Sequence, residues 1–156
     1  MRPADVEELE HGEPREVALA NARRKAEAVA AGAPGRRVLG VDTVVTLGGE
    51  VFGKPADALH AARTLALLQG RTHEVVSGLV LVPDGERVAV TQVMFRPLSP
   101  AQIAAYVATG EWRGRAGGYA IQERGAALVE RIEGDYANVV GLPVAALVEL
   151  APDLLG

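Results

Sequence analysis

The sequence predicts an α/β fold, a mixed central sheet with helices packed on it. Three observations predict this. Some segments repeat apolar residues at helical spacing, others are β-branched runs of strand length, and the two kinds alternate along the chain. The connections between them include both tight glycine turns and helix-length crossovers. At 156 residues the chain fits one domain, spanning 1–156, with a core of its own. Aromatics are only 4% of the residues, so that core is built mainly from Ala, Val and Leu.

The elements follow in order. Pro14 suits a first helical turn, and PREVALANARRKAEAVAAG places Leu19, Ala22, Ala26 and Val29 on one face before ending at Gly32. After the loop APGRR comes the strand VLGVDTVVTL, which Gly48-Gly49 turns back into the short EVFG. A second helix, ADALHAARTLALLQ, sets Ala61, Leu65 and Leu68 on one side and stops at Gly70. HEVVSGLVLV and ERVAVTQVMFRPL read as an antiparallel hairpin turning at Pro83-Asp84-Gly85. Ser99-Pro100-Ala101-Gln102 is a capping box that starts the helix AQIAAYVATG, closed by Gly110. The loop EWRGRAGG leads to two strand-like runs, YAIQ and ALVERIEG, and a last helix runs from about Pro143 to Leu150.

Composition narrows the chemistry. A formal net charge of -4 argues against a general nucleic-acid binder, which needs a basic excess to displace counterions from phosphates. The absence of cysteine excludes thiol catalysis, disulfides and zinc-thiolate sites, and fits a reducing cytoplasm. The opening MRPADVEELEHGEPREV lacks the apolar stretch of a secretory leader, and no apolar run reaches the ~18 residues needed to span a bilayer, so no membrane association is expected. His11, His60 and His73 form no metal-binding pair, and neither a nucleophile elbow nor a Walker-type loop occurs. His60 reads as a surface residue and His73 as a hydrogen-bonding residue of a strand.

Asp42 breaks the apolar run VLGVDTVV, where an unpaired buried carboxylate would cost several kcal/mol. It is either a strand-end acid facing solvent or capping an amide, or a functional group facing a cleft. Lys54, returning on the far arm of the glycine turn, can face the same cleft and hold phosphate. An ordinary carboxylate, with a pKa near ~3.9, is a poor base toward bulk water, so Asp42 needs a raised pKa or a divalent metal that acidifies the water. Mg²⁺ or Mn²⁺ is the natural ion, with Glu7 or Glu8 as a second carboxylate. Arg113 and Arg115 are either solvated loop residues or ligands for anionic oxygens, and the amide of Gln122 can read a base edge.

The ordered segments VLGVDTVV, GEVFGKP, LLQGRTHEVVSG, EWRGRAGGYAIQ and ERIEGDYANVVGLP closely resemble the Maf family of nucleoside triphosphate pyrophosphatases, across almost the whole chain. The resemblance implies an inosine-triphosphatase-like fold with a cleft between two lobes. It also implies hydrolysis of a nucleoside triphosphate between its α and β phosphates, to monophosphate and pyrophosphate. Asp42 matches the family's proton acceptor, Lys54 and Lys25 match active-site lysines, and Glu8 matches an acidic residue linked to metal. Thr43 and Gln122 match specificity positions and resemble the branch acting on dTTP and UTP; in the 7-methyl-GTP branch the residue after the acid is usually Gln. A homodimer is also implied. Family members begin with a strand and a Ser-x-Ser-Pro-Arg-Arg type loop that grips phosphate, whereas this sequence starts at the acidic segment beyond them. Either the start is assigned too late, or the chain is an N-terminally shortened relative, and the expected function is an active enzyme or a nucleotide-binding or regulatory module with weakened catalysis.

Overall fold

A computed structural model of the chain describes residues 6–156. Helix α1 (Pro14–Ala30) starts where Pro14 predicts, with the Glu13 side chain accepting from the Glu16 amide. Strand β1 (Val38–Leu47) matches its apolar run, and Gly48 and Gly49, at φ 59° and 83°, turn it into β2 (Glu50–Phe52). Asp57 caps α2 (Ala58–Leu68). Strands β3 (Thr72–Val82) and β4 (Gly85–Phe95) form the expected hairpin. Both halves of the predicted capping box are present at the start of α3 (Pro100–Ala108), between Ser99 and Gln102.

The sheet order is β2-β1-β3-β4-β5, with β5 at Val129–Glu133. Every described pairing is antiparallel. The expected crossover is nevertheless there. Strands β2 and β3 both oppose β1, so they run the same way and are joined through α2, but β1 lies between them.

Two parts of the chain differ from the sequence expectation. YAIQ forms no strand: Gly117 and Gly118 turn the chain at positive φ, Tyr119, Ala120 and Ile121 are buried, and the Tyr106 hydroxyl accepts from the Ala120 amide in place of a ladder partner. In ALVERIEG only Val129–Glu133 is strand, because Arg124–Leu128 winds into a 3₁₀ turn. A short helix not expected from the sequence, α4 (Tyr136–Val140), is capped by Asp135 and precedes α5 (Val144–Leu150).

The alternation of β1 divides the core into two faces. Val38 and Val44 pack under α1 with Val17, Ala18, Ala22 and Ala26, while Val45 joins a larger cluster with Leu65, Leu68, Phe95 and Tyr119. On the α1 side the contact is backbone to backbone. A Cβ added at Gly40 would lie 2.2 Å from the Ala22 carbonyl oxygen, and one at Gly78 would lie 2.5 Å from Ala18. Glycine at these positions sets how deeply α1 seats on the sheet.

Candidate active site

Asn21, Arg24 and Lys25 lie on one side of α1, since residues three and four apart share a helix face. Each holds one residue of the extended acidic segment that precedes the helix. Arg24 Nη1 donates to the Glu7 carbonyl at 2.9 Å, and Lys25 Nζ meets Glu8 Oε1 at 2.8 Å. Asn21 Oδ1 accepts from the Leu9 amide at 2.7 Å while its Nδ2 donates to the Leu9 carbonyl at 3.0 Å. Two backbone bonds to one residue make the Asn21 side chain act as a strand neighbour to Leu9.

The strand pleat that turns Val38, Gly40 and Val44 toward α1 turns Asp42 the same way. Its side chain is only 7% exposed, but it is not unpaired. Oδ1 accepts from Lys25 Nζ at 2.7 Å and Oδ2 from Asn21 Nδ2 at 3.2 Å. Burial pulls the Lys25 pKa down, but the hydrogen bonds and charges of Asp42 and Glu8 outweigh it, and the net shift is upward. The ammonium is therefore charged and joins two carboxylates. Of the two readings of Asp42, the solvent-facing strand-end acid is excluded.

Strand β1 pairs with β3 from Val38 to Thr46 but with β2 only from Val45 to Leu47. Among the described residues, Asp42, Thr43 and Val44 thus sit on an edge without a strand neighbour, and a cavity of about 590 Å³ opens there. Glu8, Asp42, Thr43, Phe52, Lys54 and Arg63 line it. An adjoining cavity of about 190 Å³ is lined by Lys25, Asp42, Thr43, Lys54, Arg115 and Tyr119. Thr43, on the other side of the pleat from Asp42, has its hydroxyl 2.7 Å from Ser77 Oγ. Lys54 is exposed, borders both cavities and has no ion-pair partner among the described residues. Of the residues singled out from sequence, Glu8, Lys25, Asp42, Thr43, Lys54 and Arg115 thus gather at one edge, whereas Glu7 and Arg113 are absent from the lining of both cavities. Gln122 is exposed and lies outside the residues lining these cavities.

His60 and His73 are placed as the sequence predicts. His60 is exposed, with Nδ1 accepting from the Ala56 amide. His73 is buried, 2.7 Å from the Tyr119 hydroxyl, and burial lowers its pKa to about 4. Asn21 escaped the sequence reading. Its one signal is an amide on the apolar face of α1, four residues before Lys25 and next to Ala22.

Comparison with known proteins bears on what such an edge does. A family model described as Maf-like protein matches residues 1–154. The dTTP/UTP pyrophosphatase of Moorella thermoacetica is 50% identical, over 96% of this chain and 81% of its own length. The protein of the same name from Pyrococcus furiosus is 43% identical, over 96% of this chain and 82% of its own length. That from Anaeromyxobacter is 48% identical, over 96% and 76%. With the match running nearly end to end and the motif residues collected at one cavity, the chain belongs to the Maf family.

Proposed function

We propose that this chain is a nucleoside triphosphate pyrophosphatase that hydrolyses dTTP and UTP to the monophosphate and pyrophosphate. Relatives of 43–50% identity carry that name, and the observation that carries the reading is the buried Asp42 carboxylate at the mouth of a cavity bordered by two lysines. The adjoining cavity of about 590 Å³, which shares Asp42, Thr43 and Lys54 with it, is large enough for a nucleotide. The rival reading, a nucleotide-binding module without efficient catalysis, finds no support in the names of these relatives.

The donor set fits a divalent ion shared with the substrate. Glu8 and Asp42 both line the larger cavity, and Lys25 at its side holds the two carboxylates near each other. Among the described residues no cluster of three acidic or histidine side chains forms a closed metal cage. Two carboxylates completed by phosphate oxygens and water is the coordination that Mg²⁺ or Mn²⁺ takes in such sites. Glu8 and Asp42 would hold the ion, and it would supply charge neutralisation on the phosphates and a more acidic water.

The chain's own residues do the rest. Asp42 accepts the proton of the attacking water as its oxygen bonds to phosphorus, and the bridging P–O bond breaks to release pyrophosphate. Lys25 holds the Asp42 carboxylate in place, and Lys54, free to reach across both cavities, offsets the charge that develops on the phosphates. Thr43, beside Asp42 on the open edge, touches the nucleotide and contributes to substrate choice. Gln122 contributes to that choice only if its loop moves toward the cavities. Titration of dTTP and UTP with Mg²⁺ or Mn²⁺, measuring binding and pyrophosphate release together, tests the proposal. Turnover of both nucleotides is expected; binding without turnover would favour the module.

A further inference from the structure

Asn21 stands at the junction of the two halves of the site. The residue is 1% exposed, and both hydrogens and the oxygen of its side-chain amide are engaged. The network admits one orientation of that amide. Turned over, it would set an oxygen against both Asp42 Oδ2 and the Leu9 carbonyl, and an NH₂ against the Leu9 amide. From this we infer that Asn21 is a positioning residue: it holds the Glu8 segment and the Asp42 carboxylate in register with each other.

Each carboxylate is held from two sides. Asp42 is fixed by Lys25 on Oδ1 and by Asn21 on Oδ2, so its rotation is stopped. Glu8 is fixed by Lys25 at its side chain and, through Leu9, by Asn21 at its backbone. Without Asn21, Lys25 alone would join them, through a long side chain with several rotatable bonds. Groups that support reacting carboxylates in this way are typically worth about 10–100-fold in activity or metal affinity.

The inference rests on the proposed hydrolysis, and its test separates the two. Asn21→Asp is isosteric and keeps an acceptor for the Leu9 amide, but it loses both donors and turns a negative oxygen toward Asp42 Oδ2. Asn21→Leu keeps the bulk and loses every bond. With dTTP, both variants are expected to lose kcat by about 10–100-fold with KM within about threefold. If Asn21→Asp kept wild-type kcat, Asn21 would only anchor the segment, and the inference would be overturned. If Asn21→Leu fails to fold, Asn21→Asp carries the kinetic test alone. Hydrogen exchange at the Leu9 amide gives a readout without turnover. Exchange is expected to quicken in Asn21→Leu and to stay slow in Asn21→Asp, and unchanged exchange in Asn21→Leu would contradict the clamp. A wild-type chain that bound dTTP but released no pyrophosphate would refute the hydrolysis, and the exchange comparison would still decide the clamp.

Discussion

At the residue scale the site is organised around the Lys25 ammonium, which lies between Asp42 at 2.7 Å and Glu8 at 2.8 Å. Two carboxylates without an intervening cation would repel each other, and one of them is buried. The same lysine therefore keeps the apo site folded and keeps its carboxylates together. Thr43 shows a different economy. Its hydroxyl is held by Ser77 across the β1–β3 pair, and in the proposed function its methyl group and the edge of the strand meet the base. Thr43→Gln would break the 2.7 Å contact and push an amide into both cavities. It is expected to lower kcat/KM for dTTP by roughly tenfold or more relative to 7-methyl-GTP, as steady-state kinetics with the two nucleotides will show. Equal effects on both nucleotides would remove Thr43 from the specificity set.

At the scale of elements, the distance between α1 and the sheet controls the site, because Lys25 and Asn21 ride on the helix and Asp42 rides on β1. Gly40 fixes that distance. Gly40→Ala would force a methyl to within 2.2 Å of the Ala22 carbonyl oxygen, a backbone atom that cannot swing aside. The expected loss is about 3 kcal/mol in urea unfolding, with activity lost beyond what stability explains because Lys25 moves with the helix. Gly32→Ala, where the nearest atom is at 3.8 Å, should change stability by less than about 0.5 kcal/mol. These elements also show what was legible in the sequence. The capping box at Ser99 and the glycine turn at 48–49 are local chemistry, and they formed as read. YAIQ misleads because its apolar residues serve a turn packed against α3, and only tertiary contacts such as Tyr106 to Ala120 reveal that. The order of the sheet was not legible either: the sequence shows a crossover through α2, but not that β1 would lie inside it. Asp42 was visible because it breaks a pattern, whereas Asn21 breaks one more weakly, on a helix where polar residues are common.

At the scale of the whole molecule, His73 links stability to pH. It is buried against Phe95 and Tyr119, and its Nδ1 has no hydrogen-bond partner among the described residues. In the unfolded chain an imidazole takes up a proton near pH 6.5, but the folded one does so only near 4. Between those values the unfolded state binds more protons, so stability falls as pH falls through that window, by at most about 3 kcal/mol. His73→Phe removes this contribution. Denaturant unfolding at pH 7, 5.5 and 4.5 should therefore show a shallower pH slope for the variant, and identical slopes would mean that His73 is not the linked group. His73 packs against Phe95 and Tyr119, members of the core cluster on the face of the sheet away from α1.

Both sides of the sheet meet at the open edge of β1, where the central claim can be tested directly. The measurement is pyrophosphate released from dTTP in the presence of Mg²⁺ or Mn²⁺ by the wild-type chain and by Asp42→Asn, each at saturating nucleotide. The amide is isosteric, can still accept from Lys25 and leaves the fold standing, but it cannot take a proton from water. The account predicts that Asp42→Asn keeps a cooperative unfolding transition and loses pyrophosphate release by about 10³-fold or more. An unchanged rate in that variant would contradict it.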